Sequence, residues 1–365
     1  LARGISTAEE VVSIFNRKRK SPVNGLFIAG IGAGLAIALS ALRRASRRID
    51  FNDRVAVITG GSRGLGLQMA RQLASEGAKI AILARNEPEL EAAYQELIEK
   101  GADVLVIPCD VGDQQQVKAA IKKVMEQYGR LDVLINNAGV IQVGPLDHME
   151  IEDFKNAMDT HFWGTLYTMY EVIPIMRRQR GGRIVNVTSI AGKVAVPHLA
   201  PYVASKFAAA GLSDAFRHEL AKDGIDVSTI VPGLMRTGSY YHGNFKGNND
   251  QEFRWFTLLD ATPVTAMSDR RAARQIISAA RYGIPKRTLT LQARMLELIE
   301  ELAPNLTAWI MKQANNRILP EPAGDRGNEL RTGFESRSKA APSWVTQMGD
   351  RAAGRNNEMI AEKIR

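Results

Sequence analysis

The stretch RVAVIT (54–59) runs straight into Thr59-Gly60-Gly61-Ser62-Arg63-Gly64-Leu65-Gly66, and LQMARQLASEG (67–77) follows with helical periodicity. A β-branched run of this length predicts a strand buried on both faces. The glycine turn after it lets backbone approach a bound group closely. The helix behind the turn presents free N–H groups and the positive end of its dipole, a natural seat for a pyrophosphate. Taken alone, a glycine turn is equally a plain tight turn, and its place after the first strand is what favours a phosphate cradle.

Outward from that unit the pattern repeats. KIAILA (79–84), DVLVIP (103–108), RLDVLI (130–135), RIVNVT (183–188), IDVSTI (225–230) and RTLTL (287–291) read as further strands, and stretches long enough for crossover helices separate the first six. The expected fold is therefore α/β, a Rossmann-type doubly wound parallel sheet over 53–291.

A chain of 365 residues has room for this domain and for extensions at both ends. From Val23 to Leu42 no charged side chain occurs over twenty residues. A helix of that length spans about 30 Å, the hydrocarbon thickness of a bilayer. Basic clusters Arg17–Lys20 and Arg43–Arg48 flank it, so 23–42 is expected to be a transmembrane helix preceding the sheet, in contact with membrane lipid, with 1–22 a basic segment before it. A cleaved signal peptide or a buried soluble helix are the alternatives; the arginines at 43–44 read as a stop-transfer signal and argue against the first.

The net charge is +9, but residues 1–50 hold nine basic side chains against three acidic ones, which accounts for six of the nine. No basic groove over the folded domain is implied, and nucleic acid is not an expected partner. Cys109 stands alone and the five histidines lack metal-ligand spacing, so neither a disulfide framework nor a metal site is expected. Residues 292–319 read as a helical extension broken at Pro304, suited to domain or dimer packing, and a homo-oligomer stays open. The stretch 320–365, rich in Gly, Pro and charge, is expected to lack fixed structure.

The motifs then become specific. TGGSRGLG (59–66) resembles the TGxxxGxG cofactor motif of the short-chain dehydrogenase/reductase family, Asn136-Asn137-Ala138-Gly139 its NNAG, and Tyr202-Val203-Ala204-Ser205-Lys206 its YxxxK, with Ser189 thirteen residues earlier. Pro232-Gly233 follows the sixth strand and Thr237 lies four residues beyond. The resemblance covers roughly 53–291. It implies an oxidoreductase interconverting a ketone and a secondary alcohol by hydride transfer with a nicotinamide cofactor. In that scheme Tyr202 is the acid/base, Lys206 lowers its pKa and binds the nicotinamide ribose, and Ser189 holds the substrate oxygen. Thr59, Gly60, Ser62, Arg63, Gly64, Leu65, Gly66, Asn137, Ala138, Gly139, Pro232, Gly233 and Thr237 would contribute to the cofactor site, with Asp110 and Val111 beside the adenine.

One position departs from the pattern. Where many family members carry an asparagine that holds a proton-relay water, this chain has His161. Histidine could support a relay of different geometry, or it could only pack or cap a helix irregularity. His161 is also the one reason for a rival reading, a catalytically weak or inactive nucleotide-binding scaffold or sensor.

The second strand ends at Ala84-Arg85-Asn86, without the carboxylate that accepts an NAD ribose. Arg63 and Arg85 together favour a 2′-phosphate, so NADP(H) is the expected cofactor. Because that cofactor is a cytoplasmic metabolite, the catalytic domain is expected to face the cytoplasm. The segment 234–260, with six aromatic residues, reads as a lid over an apolar cleft or as aromatics packing a surface loop. A membrane location and an apolar cleft together suggest a hydrophobic substrate.

Overall fold

The computed structural model describes residues 47–262, 265–336 and 343–360. The chain divides into Leu1–Arg48 and Ile49–Arg365, and everything below concerns the second unit. The proposed membrane helix at 23–42 lies outside the described residues. Among the described residues no helix is long and apolar enough to cross a membrane.

The first half alternates strictly: β1 (Val55–Thr59), α1 (Gly64–Ser75), β2 (Lys79–Ala84), α2 (Glu87–Glu99), β3 (Val104–Pro108), α3 (Gln114–Tyr128) and β4 (Val133–Asn136). A short β5 (Gln142–Val143) and α4 (Ile151–Met158) follow. A wide π-type turn (Asp159–Trp163) then joins α4 to α5 (Gly164–Arg178). Next come β6 (Gly182–Val187), α6 (Ala200–Leu220) and β7 (Ile225–Val231). The rest is built of shorter pieces: β8 (Met235–Arg236), β9 (Asn244–Phe245), α7 (Asn249–Ala261), β10 (Met267–Ser268) and α8 (Asp269–Tyr282). The last are β11 (Lys286–Thr288), α9 (Leu291–Leu302), α10 (Pro304–Arg317), β12 (Arg331–Thr332) and α11 (Ser343–Arg355).

The seven expected strands form one parallel sheet in the order β11-β7-β6-β4-β1-β2-β3. The order reverses between β1 and β4, and the crevice at the carboxyl ends of those two strands is where such sheets bind ligands. Apolar clusters cover both faces, Ile58, Leu67, Met69 and Ile80 on one side and Val57, Leu83, Val172 and Ile184 on the other. That two-sided burial is why the strands read as continuous apolar runs rather than alternating ones. Ile58 is fully buried, and truncating it to alanine would cost about 2–5 kcal/mol. The last strand stops short of the expected Leu291 because the Thr290 side chain accepts the Ala293 N–H and caps α9.

Two expectations need correcting. The stretch 320–365 is not structureless where it is described: β12 pairs with β9, and α11 brings Ala352 and Ala353 into the interior. The aromatics of 234–260 are not a loose lid either. Tyr240, Tyr241, Phe245, Phe253 and Phe256 form a third buried cluster with Ala353, against which Phe334 and Met359 pack. The two corrections have one cause: an aromatic cluster this large needs a cover, and the C-terminal stretch supplies it despite its polar composition. The Tyr240 and Tyr241 hydroxyls both donate to Asp350, at 3.0 and 2.7 Å.

The extension at 292–319 folds as the two helices α9 and α10, with Pro304 opening the second. Leu291, Met295, Leu298 and Leu302 stand exposed along one face of α9.

Candidate active site

At the carboxyl ends of the central strands lies a cavity of about 610 Å³. Its floor is the glycine turn. Gly60 and Gly64 have φ of +63° and +56°, left-handed conformations that glycine adopts without strain. Gly66 carries no side chain for a packing reason, since a Cβ there would strike the Gly60 carbonyl and the Asn137 side chain. Thr59 braces the crevice rather than facing it: its hydroxyl accepts the Asn137 and Ala138 N–H groups at 2.9 and 3.0 Å, tying β1 to the loop after β4.

Of the residues singled out in the sequence, Gly60, Ser62, Arg63, Gly64, Leu65, Arg85, Asp110, Val111, Asn137, Ala138, Gly139, His161, Tyr202, Lys206 and Thr237 line the cavity. Gly66, Ser189, Pro232 and Gly233 are not among the residues that line it; the Pro232 carbonyl accepts the Ile190 N–H at 2.7 Å and so fixes the turn that carries Ser189.

Ser189, Tyr202 and Lys206 come from two elements. Ser189 follows β6 in an extended conformation, with its hydroxyl accepting the Ala191 N–H at 3.1 Å. Tyr202 and Lys206 lie one turn apart on α6, and the Lys206 ammonium sits 5.6 Å from the Tyr202 ring centre. Burial pushes the Tyr202 phenol above its ordinary value of 10.0, a hydrogen bond from Ser189 pulls it back, and the Asp260 carboxylate adds to the rise. Burial also depresses the Lys206 amine from 10.5 to about 7. Burial is the largest cause of both shifts, and it is the Ser189 hydrogen bond that lowers the phenol.

His161 falls in the π-type turn between α4 and α5. Its Nε2 accepts the Val140 N–H at 3.2 Å and its Nδ1 faces the Ser205 hydroxyl at 2.8 Å. An accepting Nε2 puts the ring proton on Nδ1, directed at Ser205, whose own hydroxyl donates to the Tyr202 carbonyl at 2.9 Å. Burial, then the nearby Lys206 charge, drives the His161 pKa well below 6.5. Both ring nitrogens are thus engaged within the protein and the ring is neutral. His161 braces the loop after β4 against α6, next to Tyr202, whose ring it meets edge-on at 5.4 Å.

Two carboxylates that the sequence reading missed share the cavity. Glu89 is buried at the start of α2, where Asn86 caps the helix, and it receives the Ser62 hydroxyl at 3.1 Å and the Arg63 guanidinium at 2.7 Å. Glu358 arrives from the far end of the chain and lies 3.3 Å from Arg63. Arg85 stays mostly exposed, 3.7 Å from Asp110. Cys109 is a small buried residue at the cavity edge, its thiol pushed up to about 12 by burial and then by Asp110 and Asp113.

A doubly wound parallel sheet with a glycine cradle and a Ser–Tyr–Lys group at one end defines a dinucleotide-type α/β protein. The sequence model of the family described as "short chain dehydrogenase" matches residues 54–242, more than half of the chain, and the chain belongs to this family of oxidoreductases. It is 38% identical over 200 residues to a CLA biosynthesis dehydrogenase/reductase of Lactiplantibacillus plantarum, covering 54% of this chain and 70% of that one. With a 3-oxoacyl-acyl-carrier-protein reductase FabG of Staphylococcus aureus it shares 40% identity over 181 residues, 49% of this chain and 74% of the relative. A dehydrogenase/reductase SDR family protein 7-like of Anopheles gambiae is 29% identical over 300 residues, 80% and 93% of the two chains. Among solved structures, an actinorhodin polyketide ketoreductase variant with NADPH superposes with a TM-score of 0.57 at 29% identity, covering 65% of this chain and 95% of that one.

Proposed function

We propose that this protein is an NADP(H)-dependent oxidoreductase that interconverts a ketone and a secondary alcohol on a hydrophobic substrate. The observation that carries the reading is that Tyr202 and Lys206 line the same cavity as the glycine cradle, with Ser189 hydrogen-bonded to the Tyr202 side chain. The left-handed Gly60 and Gly64 and the N-terminus of α1 fit a dinucleotide's phosphates. Arg63 and Arg85 stand on the cavity wall where a 2′-phosphate would be received, and the NADPH carried by the similar ketoreductase structure supports that choice.

The bound cofactor supplies or accepts the hydride. Tyr202 gives its phenolic proton to the carbonyl oxygen in reduction and takes it back in oxidation. Ser189, already bonded to the phenol, is placed to donate to the same substrate oxygen and stabilise developing negative charge. Lys206 keeps a cationic or proton-donating group one turn behind the tyrosine. His161 acts as a positioning residue.

In this reading the uncharged stretch 23–42 anchors the protein in a membrane with the catalytic domain on the cytoplasmic side, which would bring lipid-like substrates to the cavity. The test is turnover by full-length protein in detergent, with NADPH and a panel of hydrophobic ketones, and with NADP⁺ and the matching alcohols. The reading expects turnover of at least one pair. Tight NADPH binding with no turnover across the panel would favour the scaffold reading instead.

A further inference from the structure

The C-terminal stretch does more than cover the aromatic cluster. Asn356 is fully buried, and its carbonyl accepts the Gly64 N–H at 2.8 Å. Its side-chain oxygen receives Gln68 and Arg71 of α1 at 2.7 and 3.1 Å, and its amide donates to Asp269 at 2.7 Å. Asn357, in a left-handed conformation at φ +61°, donates to the Ser62 carbonyl at 3.2 Å and turns the chain back toward the cavity. Glu358 follows, only 2% exposed yet lining the cavity, and a Cβ on Gly64 would come within 2.5 Å of its Oε1.

A carboxyl group therefore stands in front of the N-terminus of α1, where a phosphate would bind, and one of the helix's free N–H groups is already taken. Its fit is poor. Oε2 is buried and makes no hydrogen bond, although Arg63 and His242 lie 3.3 and 3.4 Å away. A buried carboxyl with one oxygen left unbonded is a costly occupant of an anion site, more so when it is charged. A diphosphate, with more oxygens and more charge, could use the same dipole better.

We propose that Asn356–Glu358 is an internal competitor for the cofactor's phosphates: it holds the N-terminus of α1 in the free protein and withdraws when a dinucleotide binds. The proposal rests on reading the cavity as an NADP(H) site. It makes Glu358 a determinant of cofactor affinity, acting at the glycine turn rather than at the reacting atoms.

The groups facing Glu358 set the pH response. Burial raises its carboxyl, Arg63 lowers it, and Glu89 and Asp260 raise it further, to about 8 in all. His242, held down to about 4 mainly by burial, stays neutral across that range and donates to the Glu358 carbonyl at 2.9 Å. As pH rises through about 8 the carboxyl gains its charge. The phosphates are already ionised there, since a phosphate monoester titrates near about 6. Withdrawal of the segment returns the carboxyl toward its ordinary value of 4.5 and so releases a proton, and NADPH binding should therefore tighten as pH rises toward 8 and level off above it.

The experiment measures NADPH and NADH dissociation constants of full-length wild type and Glu358→Gln, from one unit below to one unit above that value. Glu358→Gln, which stays seated without carrying charge, should bind NADPH roughly tenfold more weakly than wild type on the alkaline side, with the gap narrowing on the acid side. Trypsin acting on wild type gives a readout that needs no variant: NADPH should speed cleavage after the exposed Arg355 by releasing the segment behind it. Equal or tighter NADPH binding by the variant on the alkaline side, or protection of Arg355 by NADPH, would overturn the competitor and make the tail a clamp that closes on the cofactor. If neither protein binds NADPH or NADH, the cofactor reading itself fails and the proposal with it.

Discussion

The Lys206 ammonium lies 5.6 Å from the Tyr202 ring centre and donates to the Val187 carbonyl at 3.2 Å, so the two functional groups of α6 are held against the end of β6. No carboxylate stands among the causes of the lysine's shift; burial alone brings it to about 7. A lysine in that position is held at a cost to stability, in exchange for an amine that changes charge in the working pH range.

That cost has a definite pH signature. With a folded value of about 7 against an ordinary 10.5, the unfolded chain binds more protons between the two, so this group's contribution to stability rises with pH across the window and is lost as pH falls through 7. Lys206→Met should therefore raise the unfolding free energy, and with it Tm, most near and below pH 7, by on the order of a few kcal/mol, with the advantage shrinking toward pH 10.5. Thermal unfolding of both proteins across pH checks this; a difference that does not vary with pH would remove the buried-amine account.

Cofactor choice can be separated from structure because the two arginines differ in what else they do. Arg85 is mostly exposed and 3.7 Å from its one carboxylate, whereas Arg63 also neutralises the buried Glu89. Arg85→Ala should weaken NADPH by roughly tenfold with little change for NADH or Tm. Arg63→Ala should add to that discrimination and also lower stability by about 1–3 kcal/mol, since Glu89 loses its cation. Equal losses for both cofactors would show that the arginines do not read the 2′-phosphate.

For His161 the measurement is a pH profile. A positioning role predicts that His161→Ala lowers kcat, through a loosened Val140 loop and a freed Ser205, without adding or removing an inflection near neutrality. Loss of an inflection between pH 6 and 7 in the variant, where wild type has one, would make the ring a proton carrier. Here 6 to 7 is simply the range about the ordinary histidine value.

Much of this was legible in advance, for a physical reason. A parallel sheet covered on both faces demands continuous apolar runs, and those runs mark β1 to β4, β6, β7 and β11 in the sequence. The cradle and the Ser–Tyr–Lys group are legible because each motif is local: Gly60 to Gly66 in one turn, Tyr202 and Lys206 on one helix. What was not legible depends on partners far apart in sequence. Asn356 meets Gln68 across 288 positions, and nothing in the residues around either announces it. Glu89 reads as an ordinary acidic residue in a first helical turn, and only the fold shows that it takes Arg63. The polar composition of 320–365 concealed a handful of apolar residues placed where Tyr240 and Phe253 needed cover.

The proposed membrane anchor has its own test. The Ile49 N–H donates to the Arg281 carbonyl at 3.0 Å, and β1 starts at Val55. Deleting residues 1–48 should release an active domain that remains in solution, while full-length protein should stay in the membrane fraction through high-salt and alkaline washes. Full-length chain in the wash supernatant would reduce 23–42 to a peripheral or soluble segment and remove the argument for lipid-like substrates.

The most direct test of the account is Tyr202→Phe. The substitution removes one oxygen and its transferable proton, keeps the ring against His161, and leaves the glycine cradle untouched. NADPH binding should stay within about threefold of wild type, while kcat for any substrate the wild type turns over should fall by roughly 10²–10⁴. Binding retained with turnover lost is the predicted result; a kcat like that of wild type would show that the proton comes from elsewhere and would contradict the assignment of Tyr202 as the acid.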